Sequence, residues 1–350
     1  MARDGGDAQT SPTTEAAPRH TLHAAPIAPP LAALHGEVPP RPRWFADALA
    51  SEPEVSWHVV QGARIETLAW GERGAPGLLL LHGKMAHAHW WSFIAPFFVR
   101  THRVVALSFA GMGGSDWRDA YSTPLMADEA IAVARACGLF EAARRPVVVG
   151  HSFGGFVALS CAQQHGQRLG GVFALDMPLM SREQRQARVR PSLRQAIALR
   201  PTKLYPSLSS ALARFRFAPE QPCENLYIAD HIARTSLKQV ASSDGTGVAW
   251  TWRFDPKVAP VGPGNAARAL AEAACPVAIG WGADSALVTP GVARHVCELA
   301  GPAAPCIEIP AARHHVMVDQ PLALVSALRV SRCKAPPGRP ARTHGAPRPE

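Results

Sequence analysis

Five residues constrain the fold of this chain more than any others. Gly150-His151-Ser152-Phe153-Gly154 follows the apolar run Pro146-Val147-Val148-Val149 and precedes Gly155 to Ala162, a stretch of helical character. Glycines two residues before and two after the serine let a strand and a helix meet in a sharp turn, with the serine hydroxyl lifted above the sheet edge. The unbroken valines are those of a strand buried on both faces, as in the interior of a parallel sheet. Leu78-Leu79-Leu80-Leu81 repeats that signature.

The rest of the pattern alternates. Strands are predicted at 55–60, 64–70, 77–82, 103–109, 146–150, 171–176, 275–281 and 305–309. Helices are predicted at 89–99, 124–138, 153–166, 265–274, 289–299 and 317–330. Such alternation implies a mostly parallel sheet covered on both faces. The short link Gln61-Gly62-Ala63 makes its first pair antiparallel. Right-handed crossovers bring the C-terminal strand ends to one side, where open sheets of this kind bind ligands. Between 178 and 262 the alternation gives way to short helices and loops, with an extended aromatic stretch at Trp250, Trp252 and Phe254. That segment is read as a lid over residues 43–177 and 263–330. Residues 1–42 and 331–350 are rich in Ala and Pro, and in Pro, Arg and Gly, and are expected to be disordered extensions.

The 350 residues carry a net charge of +9, and residues 178–262 hold thirteen Arg/Lys against six Asp/Glu. The excess lies in the lid and the basic tail. It fits a solvated face or the attraction of an anionic substrate, and no nucleic-acid module accompanies it. The seven cysteines form no C-x-x-C, which favours reduced thiols in a cytoplasm over a disulfide framework or a zinc site. No basic stretch followed by an apolar run opens the chain, so no secretory leader is expected. No apolar run is long enough to span a bilayer. The oligomeric state stays open.

From about Pro42 to Arg329 the chain resembles the α/β-hydrolase fold superfamily. Three motifs in order carry the likeness: Leu81-His82-Gly83-Lys84-Met85 after the third strand, the Gly150–Gly154 turn, and Ala311-Ala312-Arg313-His314-His315 leading to Asp319-Gln320-Pro321. The resemblance implies an α/β fold with an eight-stranded, mostly parallel sheet, helices on both faces and an inserted helical lid. It also implies a serine hydrolase without cofactor or metal, acting on a small ester-like substrate.

The chemistry agrees with that expectation. A serine hydroxyl needs a base, and the base needs an acceptor that fixes its tautomer. The resemblance places the base seven residues before Pro321, at His314, with His315 as the alternative. It places the acid either after the sixth strand, at Asp176, or near the end of the seventh, at Asp284; Asp176 is preferred, as in haloalkane-dehalogenase-like relatives. The backbone N–H groups of Lys84 and Phe153 are the expected oxyanion donors, and the Lys84 side chain is expected to point outward. Trp91, Met112 and Trp252 are candidate pocket walls. His82, His87 and His89 cluster without the carboxylate or Cys partners of a metal site. Ser108 stands where relatives carry a structural aspartate, a departure expected to cost local order. A serine in the turn argues against the aspartate-dependent opening of epoxides and haloalkanes. It leaves ester hydrolysis first. Carbon–carbon bond hydrolysis or perhydrolysis by the same triad, and a non-catalytic ligand-binding protein, are the alternatives.

Overall fold

In the computed structural model, residues 27–187, 202–242, 245 and 247–333 are described. One sheet contains β1 (Glu54–Val60), β2 (Ala63–Trp70), β3 (Gly77–Leu81), β4 (Arg103–Leu107), β5 (Val147–His151), β6 (Gly171–Leu175), β9 (Val277–Gly282) and β10 (Cys306–Ile309). A separate hairpin pairs β7 (Leu237–Ala241) with β8 (Val248–Trp252). The eight-stranded sheet runs β1-β2-β4-β3-β5-β6-β9-β10, with β2 antiparallel to both its neighbours and every other pair parallel.

The four leucines of β3 show why this sheet is buried on both sides. Leu79 and Leu81 pack into one core with Val148, Phe156 and Leu159, while Leu78 and Leu80 pack into a second with Trp91, Phe93 and Val149. Successive side chains of a strand point to opposite faces, so a run of four leucines feeds both cores. Each fully buried leucine stabilises the fold by about 1.5–3 kcal/mol. The helix Phe153–His165 leaves the end of β5 with its first ten residues buried. It packs on β5, β6 and the helix Thr123–Ala136.

Several elements differ from expectation. The helix predicted at 89–99 is two 3-10 turns, Ala88–Trp91 and Ala95–Phe97; Pro96 has no N–H to continue an α-helix. The helix predicted at 317–330 is split into Val316–Asp319 and Pro321–Cys333, with Pro321 opening the second as prolines do. Residues 27–42, expected to be disordered, carry the 3-10 turn Ala32–Leu34 and bury Leu31 among the aromatic residues of one core. Residues 1–26 and 334–350, the remainder of the two predicted extensions, lie outside the described residues.

Between 178 and 262 lie the helices Arg182–Ala187, Leu208–Leu212 and Leu226–Thr235 and the β7–β8 hairpin. The hairpin is missing from the sequence reading because β7 alternates only weakly, with Leu237 its single buried residue. Trp252 packs on Tyr205 and Phe215 inside this segment. Cys297 and Cys306 form a disulfide between the helix Pro290–Ala300 and β10, with Cα atoms 6.3 Å apart. This corrects the expectation of reduced thiols throughout, and with it the cysteine argument for a cytoplasm. Nothing in the cysteine spacing signals a pairing that depends on bringing α-helix and strand together. No helix among the described residues is long and apolar enough to cross a membrane.

Candidate active site

Ser152 closes β5 with φ +53° and ψ −116°. Such a conformation costs on the order of 1–3 kcal/mol and persists only where its surroundings impose it. Here the Ser152 N–H donates to the Leu175 carbonyl of β6 (2.8 Å), and the Ser152 carbonyl accepts from Gly155 N–H (3.0 Å). A Cβ at Gly150 would lie 2.1 Å from the Gly154 carbonyl oxygen, and one at Gly154 would lie 2.5 Å from that of His82. The two glycines are therefore required by close approach of backbone to backbone. Ser152 stays half-buried while His151 and Phe153 on either side are buried.

The late histidine and one of the two candidate acids meet at this end of the sheet. His314 Nδ1–H donates to Asp176 Oδ1 at 2.7 Å, both side chains being almost wholly buried. The same Oδ1 accepts the Ser285 hydroxyl (2.7 Å), and Oδ2 accepts Gly282 N–H (2.9 Å). Three donors thus hold the carboxylate in place, and it fixes the imidazole with its proton on Nδ1 and its lone pair on Nε2. Asp176 follows β6 with φ +45°, a conformation that Asp tolerates better than most residues. Asp284 is exposed, and only its backbone N–H reaches across, to the Ala312 carbonyl. Ser285, three residues beyond Gly282 and absent from the sequence reading of the site, supplies the hydroxyl that braces Asp176.

His315 is not interchangeable with His314. Its ring lies between Trp90 and Phe217, and neither ring nitrogen has a hydrogen-bond partner among the described residues. Burial, then the neighbouring His314 and His151, holds it neutral, well below the usual histidine range. His151 Nε2–H donates to the His314 carbonyl (2.8 Å), which ties the serine turn to the histidine loop. Burial lowers its pKa to about 3. His151, His314 and His315 bring ring nitrogens within 4.8 Å of one another. On two of the three rings one nitrogen is already committed, His314 Nδ1 to Asp176 and His151 Nε2 to the His314 carbonyl.

The loop after β3 runs directly beside the serine: a Cβ at Gly83 would sit 3.4 Å from Ser152 Cβ. His82 braces it. Its Nδ1–H donates to the Gly83 carbonyl (2.7 Å) and its Nε2 accepts Phe109 N–H (3.0 Å), so the ring is neutral, and burial lowers its pKa to about 4. Phe153 is the first residue of its helix, where N–H groups have no partner within the helix and the helix dipole favours negative charge. The Lys84 side chain does not point outward. Its Nζ donates to the carbonyls of Ala259 (2.9 Å) and Val261 (2.6 Å) and lies 5.2 Å from the Phe153 ring centroid. The loop is thereby tied to the segment that returns from the lid.

The candidate pocket walls are all packed side chains. Trp91 lies in the core with Leu78 and Leu80, Met112 is buried in the other core, and Trp252 packs within the lid. Packing accounts for each. His87 donates to Ser236, whose hydroxyl is itself donated to Ile232, and His89 reaches Ser92, so His82, His87 and His89 serve three separate contacts. Of the basic lid residues, Arg216 and Arg234 pair with Glu220 and Asp230, and Arg188, Arg190, Arg194 and Arg200 lie outside the described residues.

A strained serine turn, a buried histidine–carboxylate pair and a braced loop after the third strand define the site of a hydrolase. Residues 78–328 match the alpha/beta hydrolase family, and the chain belongs to it. Curated relatives include epoxide hydrolase A of Mycobacterium tuberculosis, 30% identical over 127 residues (35% of this chain, 38% of that protein). Another is epoxide hydrolase 3 of Xenopus tropicalis, 28% identical over 120 residues (33% of this chain, 32% of that protein). The match thus spans about a third of those relatives' length. Among solved structures, a thioesterase domain from the curacin biosynthetic pathway superimposes with TM-score 0.64 at 20% identity, covering 79% of this chain and 99% of that one. An esterase of M. tuberculosis superimposes with TM-score 0.63 at 23% identity, covering 86% and 96%. At these identities the likeness is one of fold.

Proposed function

We propose that this protein is a serine hydrolase that cleaves a carboxylic ester through an acyl-enzyme on Ser152. His314 Nε2 takes the serine proton as the hydroxyl attacks the acyl carbon, and Asp176 stabilises the imidazolium that results. The N–H groups of Lys84 and Phe153 receive the negative charge of the tetrahedral intermediate. The imidazolium then protonates the leaving alkoxide. A water deprotonated by His314 attacks the acyl-enzyme and releases the acid. One observation carries the reading: the 2.7 Å bond from His314 Nδ1–H to the buried Asp176, which leaves the Nε2 lone pair as the base.

The curated relatives are named as epoxide hydrolases. Opening an epoxide through a covalent ester calls for a carboxylate nucleophile, and the residue in this turn is Ser152. The names of two fold neighbours, a thioesterase and an esterase, fit acyl transfer. The test is a fluorophosphonate probe followed by intact mass. Wild type should gain one adduct and hydrolyse p-nitrophenyl acyl esters. Ser152→Ala should do neither while keeping its thermal midpoint. A folded wild type that takes no label would overturn the reading in favour of ligand binding.

A further inference from the structure

Ser108 occupies the position where the resemblance expects a carboxylate, immediately after β4, yet the place is not without one. Glu66 reaches it from β2 and is 4% exposed. Its Oε2 accepts the Ser108 hydroxyl (2.6 Å) and Gly114 N–H (2.8 Å). Ser108 Oγ in turn accepts the N–H of Ala88, at the end of the loop beside Ser152 (3.0 Å). Ser115 completes the circuit: its hydroxyl donates to the Ser108 carbonyl (2.5 Å) and accepts Glu66 N–H (2.8 Å). Gly113 and Gly114 leave no room for side chains over the carboxylate, since a Cβ on either would lie 2.3 Å from Ser108 Oγ or Glu66 Oε1 respectively. One buried carboxylate and one hydroxyl therefore join four segments: β2, the end of β4, the 113–115 turn and the loop that carries Lys84.

We propose that Glu66 and Ser108 together are positioning residues that hold the oxyanion loop, the carboxylate having been moved from the end of β4 to β2. The proposal rests on the serine-hydrolase reading above. Its content is a reciprocal exchange. In Glu66→Gln the hydroxyl and the Gly114 N–H lose their anionic acceptor, and the amide brings a buried donor without a partner. In Ser108→Asp two carboxylates face each other where a 2.6 Å bond stood, and they must share a proton. In the double variant the groups can balance again. Ser108 Oγ and Gly114 N–H both meet Oε2, and Oε1 also lies against Gly114. The amide therefore puts its NH2 at the Oε2 position toward the aspartate and its carbonyl at the Oε1 position, turned to accept Gly114 N–H, while the aspartate accepts Ala88 N–H.

The experiment is a double-mutant cycle on the full chain, read in kcat and KM for a p-nitrophenyl ester and in the thermal midpoint. Each single variant should lose about 10²-fold in kcat, the size of a misplacement of about 1 Å at a reacting centre, with KM changed little. Glu66→Gln/Ser108→Asp should recover to within about tenfold of wild type, far above the product of the two losses. A double variant that falls to that product overturns the exchange. Coupling in the midpoint with none in kcat overturns the positioning role and leaves packing alone. A folded wild type that neither hydrolyses esters nor takes a fluorophosphonate removes the oxyanion role together with the serine-hydrolase reading, and coupling in the midpoint then shows only the network.

Discussion

Replacing Asp176 by Asn separates the electrostatic role of the carboxylate from its structural one. Asn tolerates the left-handed conformation that Asp176 adopts (φ +45°) at least as well, so the backbone is not perturbed. The side chain is. Three donors converge on the carboxylate, from His314, Ser285 and Gly282. The amide offers one oxygen and two N–H groups. With its oxygen toward His314 and Ser285, its NH2 confronts the Gly282 N–H. With its NH2 toward His314, the imidazole must carry its proton on Nε2 and cannot take one from Ser152. Either way a buried donor loses its acceptor, which costs about 1–3 kcal/mol of stability. The catalytic loss is larger, on the order of 10⁴-fold in kcat, the effect of the same substitution in a well-studied serine protease triad. Asp284→Asn, at an exposed side chain whose backbone bond to Ala312 survives, should stay within about twofold, a surface change of about 0.5 kcal/mol or less. The assay is steady-state hydrolysis of a p-nitrophenyl ester by wild type and both variants, with urea unfolding alongside. Should Asp284→Asn lose more activity than Asp176→Asn, the argument from geometry fails and the triad must be reassigned.

Two further outcomes follow from buried polar groups. Lys84→Met removes both Nζ bonds to the lid return and leaves the carbonyls of Ala259 and Val261 without them. Stability should fall by about 1–2 kcal/mol and proteolysis between 255 and 264 should quicken, whereas an unchanged cleavage pattern would show that the lysine does not hold the lid. The buried histidines predict an acid-side loss of stability. Burial, then His89, lowers the pKa of His231 to about 4, and His82 and His151 lie at about 4 and about 3. The unfolded chain binds these protons near pH 6.5 and the folded one refuses them, so stability is full above pH 6.5 and declines as pH falls toward 4. Each histidine contributes about 1.4 kcal/mol per pH unit within that window. Urea midpoints at pH 7.5, 6 and 5 should trace the decline, and His231→Phe, which places a ring beside Phe45 and Phe93, should flatten it by one proton; an unchanged slope would refute the assignment.

All eight sheet strands lie within two residues of their predicted bounds; the central ones, β3 to β6, were legible because burial on both faces leaves nearly unbroken apolar runs. The serine turn was legible because its glycines answer a local steric demand. What sequence could not resolve were choices made by distant partners. Asp176 is preferred over Asp284 in the chain only through a resemblance, and what distinguishes them physically is which one Ser285 and Gly282 surround. The lid hairpin was hard to read because its hydrophobicity does not follow its burial: Thr251 is buried and Val248 exposed. The Cys297–Cys306 pair depends on where a helix ends relative to an edge strand. Ser108 is the most instructive case. Read along the chain, it is a lost carboxylate. In space, Glu66 from β2 supplies one at hydrogen-bond distance. The carboxylate accepts Ser108 Oγ–H and Gly114 N–H, and through Ser108 the loop at Ala88 is held as well; the fold brings β2 and β4 side by side, so a side chain of β2 reaches the end of β4. A departure from a motif therefore identifies the interaction to look for in three dimensions before it identifies a defect.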